Sequence, residues 1–317
     1  MKIHLGTNDI TELRNAVVTS GTFDGVHVGH QKILARLREE ADRIGGETVL
    51  ITYWPHPRQV LKPWDNSLKL LTTFPEKATV LEKYGVDHLV KIPFTQEFAQ
   101  MSSEEYIRVI LTERVHTKKL IIGYDHRFGK NRDGGLKELQ EFAPKYGYEV
   151  EEIPRQDIDE IGVSSTKIRR SLEIGDVKTA NEYLGRPYSV AGMVVHGQKI
   201  GRTIGFPTAN IHVKESYKLI PADGIYAVQV CNKYTKRDGM LNIGNRPTIG
   251  GDDKTIEVHI FDFDEDIYDS EISVEFIDLI RREEKFSSVE ALKNQLKQDE
   301  IAVKACLSNY KAKNHDQ

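Results

Sequence analysis

Gly21-Thr22-Phe23-Asp24-Gly25-Val26-His27-Val28-Gly29-His30 stands between a β-branched run at residues 16–19 and a segment in which Ile33, Leu34, Leu37, Ala41 and Ile44 recur at helical spacing. The spacing predicts a strand, a glycine-rich turn and a helix stopped by Gly45-Gly46. Glycines let a backbone approach a ligand closely, and a helix start offers unpaired N–H groups and a positive dipole end to a phosphate. Outward from this junction the alternation repeats. A β-branched run at 48–53 closes on Trp54-Pro55-His56-Pro57, which no helix could cross, and then helix 76–84, strand 89–92, helix 103–111 and strand 120–123 follow. Strands separated by helices of this length imply a doubly wound parallel sheet with right-handed crossovers. Ligands of such a sheet bind at the carboxyl ends of its strands.

After Gly185-Arg186-Pro187 the pattern changes. Gly and Pro punctuate short alternating runs at 188–195, 224–230, 255–261 and 272–277, the pattern of a small antiparallel β-barrel. Val289, Leu292, Leu296, Val303 and Leu307 then predict a C-terminal helix over 287–307. The expected organisation is an α/β domain over residues 1–185 and a β-barrel domain with its helix over 186–317.

The 317 residues carry 44 basic and 48 acidic side chains, a net charge of −4. That charge divides evenly: 26 basic against 28 acidic residues up to Gly185, and 18 against 20 beyond it. Neither half has the field that holds nucleic acid or an anionic membrane by bulk charge. No apolar run approaches the roughly 18 residues of a membrane span, and Met1-Lys2-Ile3-His4-Leu5-Gly6 lacks a secretory pattern, so the expectation is a cytoplasmic protein. Cys231 and Cys306, without a CxxC partner, read as reduced thiols. Nothing in the sequence sets an oligomeric state.

His27 and His30 flank a glycine at the first strand-to-helix junction, where both rings can face one ligand. Zinc ligands on a helix usually stand four apart with a third ligand nearby, which this pair lacks. Hydrogen-bonding imidazoles at a helix N-terminus suit instead the crowded charge of a phosphorus under attack. Val163-Ser164-Ser165-Thr166-Lys167-Ile168-Arg169-Arg170 combines capping hydroxyls with three cations in the first turns of a helix, an anion site or a solvated helix start. In the second half Gly197, Gly201 and Gly205 mark a loop able to wrap a polyphosphate, although it lacks the Gly-Lys-Ser/Thr ending of a P-loop. In Thr255-Ile256-Glu257-Val258-His259-Ile260-Phe261 strict alternation puts Glu257 and His259 on the face opposite Ile256, Val258 and Ile260.

His27-Val28-Gly29-His30 resembles the HxGH signature of nucleotidyltransferases, and GTFDGVHVGHQ resembles the adenylyltransferase half of bacterial bifunctional riboflavin kinase/FAD synthetases. Residues 163–169 resemble that family's (I/V)SSTxIR motif, Tyr53-Trp54-Pro55-His56-Pro57 its FxPHP segment, and Gly123-Tyr124-Asp125-His126-Arg127-Phe128-Gly129 its GxDFxFG segment, with His126 replacing an aromatic. Further on, Pro207-Thr208-Ala209-Asn210 resembles the PTAN motif of riboflavin kinases, residues 242–248 their NIGxxPT segment and Arg281–Phe286 their RxExKF segment. The resemblance implies two consecutive reactions. Riboflavin and ATP give FMN and ADP, with Glu257 as base, His259 as its support and Mg²⁺ on Thr208 and Asn210. FMN and a second ATP then give FAD and pyrophosphate, with His27 and His30 at the α-phosphate. It also implies ATP contacts by Gly21, Phe23, Gly29, Ser164, Ser165, Thr166 and Arg169 in the first half and by Gly197, Gly201, Gly205 and Asn210 in the second. Asp125, Asn242 and Arg281 are implied on the flavin side. Because neither half is basic, the cations must act locally: Lys167, Arg169 and Arg170 in one half, Lys199 and Arg202 in the other. The competing reading is a single-activity enzyme whose other half is a flavin- or RNA-binding regulatory module; the barrel half's net −2 and lack of a basic aromatic face count against it.

Overall fold

The computed structural model describes the chain except residues 11, 66, 155–161, 198–200, 202–203, 233–234, 249–250 and 316–317, and describes only the backbone at 245–248, 251–253 and 314–315. The chain divides into two compact units, Met1–Ser165 and Thr166–Gln317.

In the first unit β1 (Lys2–Leu5), β2 (Val17–Ser20), β3 (Thr48–Trp54), β4 (His88–Pro93), β5 (Lys119–Gly123) and β6 (Glu149–Ile153) form one parallel sheet in the order β1-β4-β3-β2-β5-β6. Between them run α1 (Val28–Ile44), α2 (Pro57–Leu61), α3 (Phe74–Lys83), α4 (Ser103–Glu105), which continues as a π-helical stretch Tyr106–Arg114, and α5 (Leu136–Tyr146). Successive strand residues face opposite sides, and the core splits accordingly. Val18, Val49, Ile51, Val90 and Leu120 pack on the side of Ile107 and Leu139, while Val17, Leu50, Leu89 and Ile121 meet Leu34 and Leu37 of α1. Strand order reverses between β2 and β5, so the binding crevice of a doubly wound sheet falls beyond Ser20 and Gly123.

Each helix follows from local sequence. Gly45 ends α1 in the left-handed conformation, at φ 63°, and donates to the Ala41 and Asp42 carbonyls. Thr73 and Glu76 form a reciprocal capping box at the start of α3.

The second unit begins with α6 (Ser165–Glu173), whose first residue closes the first unit, and α7 (Val177–Leu184). β7 (Tyr188–Val195), β8 (Ala209–His212), β9 (Gly224–Cys231), β10 (Lys236–Thr248), β11 (Gly251–Ile260) and β12 (Glu271–Arg281) close into an antiparallel barrel in the order β10-β11-β8-β7-β12-β9. The C-terminal helix α8 (Val289–His315) buries Val303 and Leu307 against Ile225, Ala227, Met240 and Ile277. Packing divides the chain earlier than the change of composition at Gly185. The Asn181 amide on α7 donates to the Phe276 carbonyl at 2.8 Å and accepts from Tyr188 N–H at 2.7 Å, and Ala222 N–H bonds the Leu172 carbonyl of α6, so both helices group with the barrel.

Candidate active sites

In the first unit the decapeptide leaves β2 as a strained loop. Phe23 and Val26 adopt positive φ of 46° and 43°, a conformation β-branched valine rarely takes. Its neighbours hold it there. The buried Asp24 carboxylate accepts from Leu71 N–H and Thr72 N–H, each at 3.1 Å, and from Thr72 Oγ1 at 3.2 Å, while Gln31 donates to the Val26 carbonyl at 2.8 Å. A side chain at Gly21 would crowd the Phe23 ring, 3.1 Å from its Cβ.

His27 is the N-cap of α1: its Nδ1 accepts from His30 N–H at 3.4 Å, which leaves the proton of the neutral ring on Nε2. The His27 and His30 rings stack with centroids 3.7 Å apart, and Phe23 covers His30 at 4.6 Å. Burial, with His27 and Lys77 nearby, holds the His30 imidazole well below its ordinary range, so it is neutral at pH 7. Among the described residues its Nδ1 is a buried polar atom without a hydrogen-bond partner. Two stacked imidazoles at the first turn of a helix, one of them neutral and with an unused ring nitrogen, suit hydrogen bonding to phosphate oxygens. Gly29 lies in the same turn. Ser165 Oγ donates to the Asp24 carbonyl at 3.0 Å, which brings the second motif to the first. Ser164 is half-buried, Thr166 is exposed and Arg169 is half-buried on α6.

At the strand-order reversal His126, after β5, meets Ser20 at the end of β2, with Nε2 3.3 Å from the hydroxyl. Burial, with Arg132 and Arg127 adding to it, pushes this imidazole down to about 4. The histidine that replaces the family's aromatic therefore stands as a neutral ring beside Phe128, at 5.7 Å. Asp125 is exposed on the turn before it. His56 caps α2 through Nδ1, accepting from Arg58 N–H at 3.1 Å.

In the second unit β11 brings three motif residues together. Glu257 pairs in register with Asn210 of β8 on one side and Asn242 of β10 on the other, and Thr208 Oγ1 donates to Glu257 Oε2 at 3.2 Å. His259, two residues along the same face, bonds the Pro207 carbonyl through Nδ1 at 2.7 Å and so fixes the residue before Thr208. The glycines allow close approach. A Cβ at Gly197 would meet Asn210 Nδ2 at 2.2 Å, and one at Gly201 would meet the Phe206 carbonyl oxygen at 2.2 Å. Gly205 takes φ +89°. Beside Thr208 opens a cleft walled by Val194, Val258, Ile260, Phe263, Ile267 and Tyr268. Arg281 of β12 pairs in register with Ile225, which pairs on its other side with Asn242, and its guanidinium grips the buried Asp299 with two hydrogen bonds of 2.9 and 2.8 Å, 5.5 Å from the Phe286 ring. Lys199 and Arg202 lie outside the described residues.

Sequence reasoning missed the Asp24 clasp, the place of His126 and the 263–268 wall of the cleft. It also missed Lys77, a buried lysine of α3 whose Nζ reaches the Thr22 carbonyl. Its one signal was a charge on the same helix face as the buried Ala78 and Leu81.

Comparison with known proteins gives a family. A FAD synthetase family model matches residues 9–167 and a riboflavin kinase model matches residues 184–307. A bifunctional riboflavin kinase/FMN adenylyltransferase of Pseudomonas fluorescens is 38% identical over 93% of this chain and 94% of its own length. One of Listeria monocytogenes is 38% identical over 94% of each. A crystal structure titled as a macrolide-efflux protein from Streptococcus pneumoniae superposes with a TM-score of 0.87 at 33% identity, covering 96% of this chain and 98% of that one. Among the described residues here, no helix is long and apolar enough to cross a membrane.

Proposed function

Because the chain belongs to the bifunctional riboflavin kinase/FMN adenylyltransferase family, and so phosphorylates riboflavin to FMN and adenylylates FMN to FAD, we propose which of its residues carry each step. By motif content the adenylyltransferase takes in residues 1–185, although α6 and α7 pack with the barrel, and the kinase residues 186–317, each acting by direct transfer in the cytoplasm.

For the kinase, Glu257 takes the proton of the terminal ribityl hydroxyl as its oxygen attacks the γ-phosphorus of ATP and ADP leaves. The observation that carries this is the convergence of Glu257, Thr208 and Asn210 through strand register and the 3.2 Å bond. Thr208 and Asn210 offer hydroxyl and amide oxygens, a donor set that fits Mg²⁺, and among the described residues no cluster of three or more His, Cys, Asp or Glu forms a closed metal cage. When bound there, Mg²⁺ would neutralise charge on the ATP phosphates. Gly197, Gly201 and Gly205 bring backbone to the ATP phosphates, and the cleft beside Thr208, apolar along Val194, Val258, Ile260 and Phe263 and acidic along Asp264, Glu265 and Asp266, takes the adenine. Asn242, paired with Glu257, and Arg281, in the same register row through Ile225, stand on the flavin side.

For the adenylyltransferase, His27 and His30 hydrogen-bond the α-phosphate of ATP while an FMN phosphate oxygen attacks it and pyrophosphate leaves. Gly21 and Phe23 shape the nucleotide loop, Gly29 presents the helix start, and Ser164, Ser165, Thr166 and Arg169 bind the remaining phosphates. Asp125 contacts the flavin. The test is a time course with riboflavin, ATP and Mg²⁺, separated by chromatography: FMN rises first and FAD follows, and a chelator stops both.

A further inference from the structure

Lys77 is 3% exposed on α3, and its Nζ meets two neutral acceptors, the Thr22 carbonyl at 3.0 Å and Thr52 Oγ1 at 2.9 Å. The Trp54 and Phe74 rings stand 5.5 and 5.8 Å from it. A buried ammonium gives up its hydration, here without a carboxylate bonded to it among the described residues, so a lysine held this way calls for a reason beyond packing. Thr22 is the second residue of the loop that carries His27 and His30, and the Thr52 hydroxyl also reaches the Thr22 carbonyl, at 3.4 Å. Lys77 thus ties the nucleotide loop to the sheet at the point where the loop leaves β2.

We propose that Lys77 is a positioning residue for adenylyl transfer: its buried ammonium clamps the Thr22 carbonyl and sets a fixed positive charge behind the His27–His30 pair. This rests on the assignment of that pair to the α-phosphate. Asp24 favours the ammonium, whereas burial and Lys91 across the Phe74 ring bring it down to about 8, still mostly charged at neutral pH. Lys77 in turn acts on His30 together with His27. The clamp holds the loop in its strained form, and the charge favours both a neutral His30 and incoming phosphates.

Three variants separate the two parts. Lys77→Arg keeps charge and donors, Lys77→Gln keeps a donor without charge, and Lys77→Met keeps neither. FMN adenylylation, riboflavin phosphorylation and the His30 imidazole titration by NMR are measured on each full-length chain. Lys77→Met lowers the adenylylation kcat by roughly 10- to 100-fold while the kinase rate stays, a scale set by lost positioning and electrostatics. His30 titrates at higher pH in Lys77→Met and Lys77→Gln, and Lys77→Arg keeps the wild-type titration. Where Lys77→Met does not fold, Lys77→Gln against Lys77→Arg makes the same comparison. The proposal falls if the His30 titration is unmoved in both neutral variants, if their adenylylation is undiminished, or if the kinase rate drops in parallel. A separate arm tests the underlying assignment: full adenylylation by His30→Ala would overturn the histidine pair itself, whatever Lys77 does.

Discussion

Ser165 Oγ donates to the Asp24 main-chain carbonyl at 3.0 Å across 141 residues of sequence, while the Asp24 carboxylate accepts from Leu71 and Thr72. One aspartate therefore joins three segments around the nucleotide loop. Ser165→Ala removes a single neutral hydrogen bond, worth about 1 kcal/mol, so the KM for ATP in FMN adenylylation should rise roughly fivefold. Steady-state kinetics of both reactions check this, since the riboflavin kinase KM should not move.

The kinase metal site makes a different demand. Thr208→Val keeps the shape of the side chain but removes the oxygen that bonds Glu257. Magnesium titrations should then show a higher half-saturating concentration for phosphorylation and an unchanged one for adenylylation. Thr208→Ser restores the wild-type value.

His126 gives a pH signature. Its imidazole is held at about 4 in the folded chain against an ordinary 6.5, so between those values the unfolded chain binds more protons. Its contribution is complete above pH 6.5 and is lost as pH falls through that window. His126→Phe, which cannot protonate, should show a shallower fall in Tm than wild type from pH 7 to pH 5.

Arg281 and Asp299 form a two-bond ion pair with Asp299 only 2% exposed. Arg281→Ala strands the carboxylate, with the Gln295 amide at 2.9 Å as its remaining neutral donor. Removing one partner of a buried pair costs on the order of 3 to 5 kcal/mol, so urea unfolding followed by barrel and α8 signals should shift by about that much.

The strands and helices around the first motif were legible because alternation and helical spacing are local properties. Val17, Leu50 and Leu34 reveal their faces by position alone. β1, β6, β8 and β10 were not: Lys2–Leu5 and Glu149–Ile153 are short edge strands rich in polar residues, and β10 carries Gly239, Gly244 and Pro247. The candidate sites were legible as motifs and not as contacts. Nothing in the sequence states that Ser165 meets Asp24, that His259 holds the Pro207 carbonyl or that Lys77 reaches Thr22, since each bond depends on tertiary packing. The division of the chain near Ser165 was hidden for the same reason, because α6 and α7 precede the change of composition at Gly185 although they pack on the barrel.

The central claim, two reactions run by two separate sets of residues in one chain, is tested most directly by product analysis of Glu257→Ala and of His27→Ala/His30→Ala. With riboflavin, ATP and Mg²⁺, Glu257→Ala should lose phosphorylation by about 10²- to 10⁴-fold, the usual contribution of a positioned base, yet still convert supplied FMN to FAD. The double histidine variant should accumulate FMN and make no FAD. A Glu257→Ala chain that phosphorylates riboflavin at the wild-type rate, or a double histidine variant that still makes FAD, would contradict the account.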